Sequence, residues 1–156
     1  MNPLYVHLLL NHIPVIGTAG AVLLLLGALI ARSRDIAVAG LVALVVVALV
    51  TIPVFLTGEP AEEHVEHLPG FSRHAIHEHE EAGEWALWGM EIAGVVALGT
   101  LILAWRRGGV VPRGATIATL AVAVLALAIV IRAAGLGGDI RHTEVDSLSG
   151  DVQGHQ

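Results

Sequence analysis

Histidine and glutamate are concentrated in one stretch of the chain, residues 59–85, which reads EPAEEHVEHLPGFSRHAIHEHEEAGEW. The stretch holds five histidines and eight glutamates, and Arg73 is its single positive side chain. Neutral imidazole is a common ligand of transition metals and of haem iron, and carboxylates join it in mixed His/Glu metal sites. This composition therefore predicts the binding of a metal ion or of haem.

Several other kinds of chemistry are excluded or disfavoured. The chain has no cysteine, which excludes disulfides, thiolate metal sites, iron–sulfur clusters and covalent c-type haem attachment. His77-Glu78 lacks the second histidine of a zinc-protease motif, and no serine nucleophile has a recognisable base, so a hydrolase is disfavoured. The apolar runs lack the broken inverted repeats of transporters. The net charge of −6 and the absence of a basic patch exclude nucleic-acid binding.

The elements that carry these residues are membrane spans. The chain is 55% hydrophobic and 14% charged, with a mean hydropathy of +0.77, and four runs reach the roughly 20 apolar residues that cross a bilayer. The sequence predicts an all-α membrane protein, an antiparallel four-helix transmembrane bundle with a short amphipathic helix in the 2–3 loop. The predicted pieces are spans at 3–31, 36–57, 73–106 and 113–136, a surface helix at 60–68, a single domain over 1–146 and a flexible polar tail at 147–156.

The arginines predict the orientation. The 1–2 and 3–4 connections hold five of the eight arginines and one acid, Asp35. The positive-inside rule places both connections in the cytoplasm and both termini outside, on the periplasmic side of a bacterial inner membrane. Trp85 and Trp88 fit an outer aromatic belt, and Trp105 fits an inner one. All nine histidines and thirteen of the fourteen acids then fall on the outer side.

The first span is expected to present two histidines there. Pro14 is predicted to interrupt its helix, because proline lacks the amide proton that a helix requires. His12 then lies at the outer mouth of the span, with His7 about 7 Å further out. Asn11 shares a helical face with His7.

His79 is the histidine of the third helix that is best placed to bind a ligand. It shares a face with Gly83, and that face continues inward as a stripe of small or adaptable residues to Met90. His142 follows the fourth span, where glycines are expected to end the helix and bend the chain back. His74 and His77, like His64 and His67 on the surface helix, lie on faces crowded with glutamate, where solvent exposure is expected.

Two ionisable residues fall within the apolar runs. Glu91 and Arg132 are predicted to face the bundle interior at a similar depth, paired with each other or with one ligand, because a charge within a span is costly without a partner. Arg132 also suits an acidic cofactor group such as a haem propionate. Close helix packing is predicted at small residues, which include Gly17, Gly20, Gly27, Gly40 and Gly94.

Four pieces of the chain together resemble a family of small four-span bacterial membrane proteins, related to those whose first span opens with a His…His-Phe-Pro pattern. These pieces are HLLLNHIPVIG (7–17), TGEPAEEHVEHLPG (57–70), HEEAG (79–83) and GGDIRHTE (137–144). They extend over most of the chain, which departs from the pattern at Thr143, where the family's tail usually has proline.

The resemblance brings no established activity. It implies that a subset of the polar residues belongs to the family pattern. Relatives occur alongside or fused to redox domains such as cytochromes c and Rieske modules, which is an association and not a mechanism. The residues of the pattern are His7, Asn11, His12, Glu59, His79, His142 and Glu144.

Three hypotheses follow. The first is a b-type cytochrome that relays electrons to a periplasmic carrier, in which haem b is held by histidines among His7, His12, His79 and His142, with Asn11 and Arg132 nearby. The second is a non-haem site for copper, zinc or iron, built from His12, His79, His142, Glu59, Glu63 and Glu144. The third is a structural or assembly subunit of a larger membrane redox complex, whose acidic cap docks a basic partner. The sequence leaves open whether the protein is catalytic and whether it forms a homo-oligomer.

Overall fold

The computed structural model describes the backbone of residues 10–58 and 73–153, with the side chains of those ranges apart from Ala75 and 139–153. Within them the chain forms four long helices. The helices are α1 (Ile13–Ala31), α2 (Arg34–Leu56), α3 (Arg73–Arg106) and α4 (Arg113–Gln153). The predicted surface helix at 60–68 and the first residues of the first predicted span lie outside the described residues.

The helices form a closed ring of antiparallel neighbours. Helix α1 packs against α2 and α4, and α3 packs against α2 and α4. Each helix is long and apolar enough to cross a membrane, so the chain is a multi-pass membrane protein in contact with the lipid bilayer. Large apolar side chains that point away from the bundle, such as Leu23 and Val95, each 67% exposed, are the surface that lipid covers. The predicted fold class is confirmed.

The helix ends follow from local sequence. Pro14 stands in the first turn of α1, where its missing amide proton costs nothing. The Ser33 side chain caps α2 by accepting a hydrogen bond from the amide of Ile36. Helix α3 runs unbroken over the predicted residues 73–106, because no proline lies between its first residue and the glycine turn at Gly108.

The centre of the bundle is filled by close packing. A Cβ atom added to Gly94 would lie 2.5 Å from Cβ of Ala48, and one added to Gly17 would lie 2.5 Å from a Val47 methyl group. Gly40 packs on α1, where an added Cβ atom would lie 3.0 Å from Cγ of Leu25, but a Cβ atom at Gly20 or Gly27 would meet nothing within 4 Å. The expectation of close packing is therefore correct for Gly17, Gly40 and Gly94 and wrong for Gly20 and Gly27.

Buried hydroxyl groups link the helices within this core. The Thr18 hydroxyl on α1 donates to Sδ of Met90 on α3 at 3.3 Å, across the diagonal of the bundle. The Thr100 and Thr119 hydroxyl oxygens lie 2.9 Å apart between α3 and α4. These contacts also show which residues of different helices lie at the same depth.

Helix α4 differs most from the expectation. Glycines were expected to end it near residue 136, yet the helix continues through Gly137 and Gly138 to Gln153. A glycine inside a helix lowers helix stability by only about 1 kcal/mol relative to alanine. The residues after Gly138 again have side chains that are compatible with a helix. The bend that was to fold His142 back is therefore not present. His142 and Glu144 lie on this helical continuation, and their side chains are outside the described part of the chain.

Candidate functional site

One end of the bundle carries the described histidines, and we call it the histidine end. It is formed by the first turns of α1 and α3, with His12, His74, His77 and His79. The opposite end, which we call the arginine end, carries Arg32, Arg34, Arg106, Arg107 and Arg113. The four described histidines and the five arginines of the two connections lie at opposite ends, as the sequence predicts, while Arg73 and Arg132 lie toward the histidine end.

His79 differs from the other histidines of α3 in its contacts with α4. Its Nδ1 lies 3.0 Å from the carbonyl oxygen of Ala133. Since a carbonyl only accepts, Nδ1 carries the proton and donates it, and in the neutral ring Nε2 then holds the lone pair. The imidazole edge also lies against Gly137, where an added Cβ atom would approach Cε1 to 2.9 Å. We call Ala133 and Gly137 the His79 seat.

The other two described histidines of α3 face water. The His74 and His77 side chains are 82% and 77% exposed, and each contacts only a glutamate of its own helix, Glu78 and Glu80 respectively. His79 is half-buried, and the residues inward of it, Ala82, Ala86 and Met90, are buried. The expected solvent exposure of His74 and His77 is confirmed, and His79 is less exposed than either; its role as a ligand stays a prediction.

On α1, His12 is the residue that caps the helix through its backbone. Its carbonyl oxygen accepts the amide of Ile16 at 3.0 Å, and its side chain is exposed. Thr18 contacts Met90, so these two residues lie at the same depth along the bundle axis. Helices α1 and α3 run in the same direction, so His12, six residues before Thr18, lies level with Glu84, six residues before Met90. His79, five residues further out on α3, is then about 7 Å beyond His12 along the bundle axis.

Asn11, just before His12, has an unusual environment. Its side-chain oxygen Oδ1 is buried and has no hydrogen-bond partner among the described residues. A buried acceptor without a donor costs about 1–3 kcal/mol, and such atoms are uncommon in proteins. This carbonyl group is therefore suited to receive a hydrogen bond from a bound group.

The predicted pairing of Glu91 with Arg132 is wrong. Glu91 Oε1 is buried without a partner in the described part of the chain, whereas Arg132 is exposed. Gly89 packs against Ala126; Glu91 lies two residues inward of that level and Arg132 six residues outward, so Arg132 is about 12 Å further toward the histidine end than Glu91. The two side chains therefore lie at different depths, and Arg132 also lies on an exposed face of α4.

The described residues alone do not complete a metal site. Among residues 10–58 and 73–138, no three His, Cys, Asp or Glu side chains lie close enough to hold one metal ion. The remaining predicted ligands, His7, His142, Glu59, Glu63 and Glu144, have side chains outside the described part of the chain. The structure therefore describes the positions of His12, His79, Asn11 and Arg132. That they bind one ligand together stays a prediction.

The sequence analysis missed the His79 seat. It interpreted the segment GLGG, residues 135–138, only as a helix end. The available signal was a glycine one helical turn after Ala133, because a glycine within a helix often marks a close approach of another group. No family model matches this chain, and no curated protein or solved structure does either, so the resemblance drawn from its sequence stays a prediction.

Proposed function

We propose that this membrane protein binds haem or a metal ion at its histidine end, and that haem b used for electron transfer is the first choice. In this proposal His79 is a ligand of the iron. A second histidine, from among His12, His7 and His142, would join it in holding the group; His7 and the side chain of His142 lie outside the described residues.

The observation that carries the proposal is the His79 seat. Histidines that bind metals almost always donate their other ring proton to a carbonyl or carboxylate group, which fixes the tautomer and the ring orientation. The 3.0 Å contact from Nδ1 to the Ala133 carbonyl is a hydrogen bond of this kind. His77 Nδ1 also faces a carboxylate oxygen, that of Glu80, but the distance is 3.4 Å and both side chains are exposed on one helix, so this contact holds the ring less firmly; the His74–Glu78 contact is longer still, at 3.6 Å.

One further residue, Arg132, favours haem over a bare ion. Arg132 directly precedes Ala133, it is exposed, and its guanidinium makes no ion pair within the described residues. A guanidinium in this place suits a propionate group, which it can bind through two parallel hydrogen bonds. The buried Asn11 oxygen at the same end of the bundle does not distinguish haem from a metal ion, because an ionised propionate offers it no donor.

The packing of the core favours a cofactor at the end of the bundle over one at its centre. Thr18 contacts Met90 across the diagonal, and Gly94 lies directly against Ala48. Helices packed this closely leave no gap for a macrocycle at that depth. The level of His79 is several turns further out than these contacts.

The proposed role follows from this placement. Haem held at this end by His79 would supply one-electron chemistry between a quinone in the bilayer and a carrier in the adjoining compartment. With the arginine end in the cytoplasm, that carrier is periplasmic and both termini are outside, in the inner membrane of a bacterium. Partner subunits of a membrane redox complex are a further expectation of the same proposal.

The test is to replace His79, His77 and His74 singly with alanine and to measure haem and metal per protein. Loss of a partner behind a ligand costs about 10–100-fold in affinity, so the loss of the ligand itself in His79→Ala should exceed that range. His77→Ala is the matched control, since its side chain is 77% exposed on the same helix. Size-exclusion chromatography checks that each variant is folded.

The outcomes separate the alternatives. Haem lost only from His79→Ala supports a cytochrome. A colourless protein that loses copper, zinc or iron in the same variant supports the non-haem alternative. If His74→Ala and His77→Ala empty the site while His79→Ala leaves it full, the assignment of His79 is wrong. A wild-type protein that holds neither haem nor metal leaves only the structural-subunit hypothesis.

A further inference from the structure

A second feature lies at the opposite end of the molecule. A cavity of about 920 Å³ opens at the arginine end, between the α1–α2 connection and the α3–α4 connection. Three arginines line it, namely Arg32, Arg34 and Arg113. The sequence analysis used these arginines only to predict orientation.

The backbone of both connections is shaped to form this cavity. Arg32 has a φ of 52°, and Gly108 and Gly109 have φ values of 66° and 90°, so the chain turns in left-handed conformations on both sides. The Nε of Arg34 donates to the carbonyl of Gly109 and ties the two connections together. Glycine at positions 108 and 109 permits these turns, because left-handed backbone is costly for other residues.

The charged residues that line the cavity are all positive. None of its lining residues is acidic. Asp35 is the one acid close by, and its carboxylate lies 3.4 Å from the Arg34 guanidinium with a side chain that is 91% exposed. Arg32 and Arg113 have no ion pair in the described part of the chain. Planar guanidinium groups bind phosphate oxygens through two parallel hydrogen bonds.

Most of the remaining lining is apolar, and Ser33 and Thr116 add two hydroxyl groups. Ala28 and Leu29 come from the last turns of α1, Ala37 from the first turn of α2, and Val110 and Val111 from the α3–α4 connection. The volume lies within the range of pockets that hold organic ligands, and it is many times the roughly 30 Å³ that one water molecule occupies. One inorganic phosphate would fill only a part of it.

We propose that this cavity binds the head group of an anionic phospholipid from the membrane leaflet at the arginine end. The phosphate lies among Arg32, Arg34 and Arg113, and the glycerol and the first acyl carbons lie against the apolar wall. The cavity is at the depth where lipid phosphates occur, because it begins where the apolar runs of α1 and α4 meet water. Basic pockets between spans are known to hold acidic lipid head groups.

The test uses the detergent-purified full chain with equimolar phosphatidylglycerol and phosphatidylcholine, and native mass spectrometry measures the bound lipids. The variant is Arg32→Gln/Arg113→Gln. The matched control is Arg106→Gln/Arg107→Gln, which removes the same charge at the same end from residues that do not line the cavity. Arg34 is kept because it joins the two connections.

We expect the wild-type protein and the control to retain phosphatidylglycerol in preference to phosphatidylcholine. The cavity variant should bind phosphatidylglycerol about 30-fold more weakly, since each arginine that contacts the phosphate contributes about a factor of 5, and Arg106 and Arg107 do not line the cavity. A variant and a control that lose the lipid equally would show a general charge effect and overturn the proposal. So would displacement of the lipid by inorganic phosphate but not by chloride of equal ionic strength, which would make the site one for free phosphate.

Discussion

The Nδ1 atom of His79 lies 3.0 Å from the carbonyl oxygen of Ala133, on the neighbouring helix. This hydrogen bond crosses 54 residues of sequence and gives one histidine among several a fixed tautomer and orientation. The same ring lies against Gly137, one helical turn further along α4. The proposed ligand therefore depends on two residues that bear no chemically active group of their own.

The first prediction concerns Gly137. An added methyl group would come within 2.9 Å of Cε1 of His79, so Gly137→Ala should displace the ring and weaken its hydrogen bond to Ala133. We expect a loss of haem or metal of about 10–100-fold, the effect of disturbing a residue behind a ligand. Bound haem and metal per folded protein are the measurement.

Gly135→Ala is the matched control, since a Cβ atom at this position of the same helix meets nothing within 4 Å. It should keep full occupancy. Equal occupancy in both variants would show that the orientation of His79 has no role in binding.

The second prediction concerns the packing of α2 on α3. Gly94→Ala places a methyl group 2.5 Å from Cβ of Ala48, and neither group can rotate away, so the helices must separate. We expect a loss of about 1–3 kcal/mol in the free energy of unfolding. Gly99→Ala, which meets nothing within 4 Å on the same helix, should be neutral or more stable by up to about 1 kcal/mol. Unfolding in mixed detergent measures both, and equal stabilities would contradict the packing described.

The third prediction concerns Thr100 and Thr119. Their hydroxyl oxygens lie 2.9 Å apart, while Thr100 also contacts the Val96 carbonyl and Thr119 contacts the Ala115 carbonyl. Each hydroxyl has one proton, so the three contacts share two protons and the interhelical bond is partial. A double-mutant cycle with Thr100→Val and Thr119→Val should give a coupling free energy of about 0.6 kcal/mol, typical of hydrogen bonds within membranes. A coupling of zero would mean that the two hydroxyls bond only within their own helices.

The fourth prediction concerns orientation. A reporter that is active only in the periplasm should be active when fused after Gln156, because five of the eight arginines lie in the two connections at the other end. The same reporter inserted at Gly108 should be inactive, and a cytoplasmic reporter there should be active. The reverse pattern would place the histidines in the cytoplasm and remove the periplasmic carrier from the proposal.

Local patterns in the sequence were sufficient to predict features of single helices. Helix α3 was predicted at its observed residues because nothing interrupts it, and the stripe from His79 to Met90 indicated which of its faces is buried. The glycines within 135–138 were interpreted as a helix end. A helix accommodates a glycine where another side chain packs against it, as the His79 ring does at Gly137. The depth of Glu91 relative to Arg132 depends on how α3 and α4 align, which no local pattern encodes. For the same reason the sequence did not show the Ala133 carbonyl as a partner of His79.

The most direct test of the central proposal is the absorption spectrum of the purified wild-type protein, oxidised and then reduced, combined with elemental analysis of the same sample. We predict a Soret band that shifts on reduction and about one iron per chain, as expected for one b-type haem. Bound copper, zinc or iron without a Soret band would replace haem by the non-haem alternative. A protein with neither a Soret band nor a stoichiometric metal would contradict the account of the histidine end as a cofactor site.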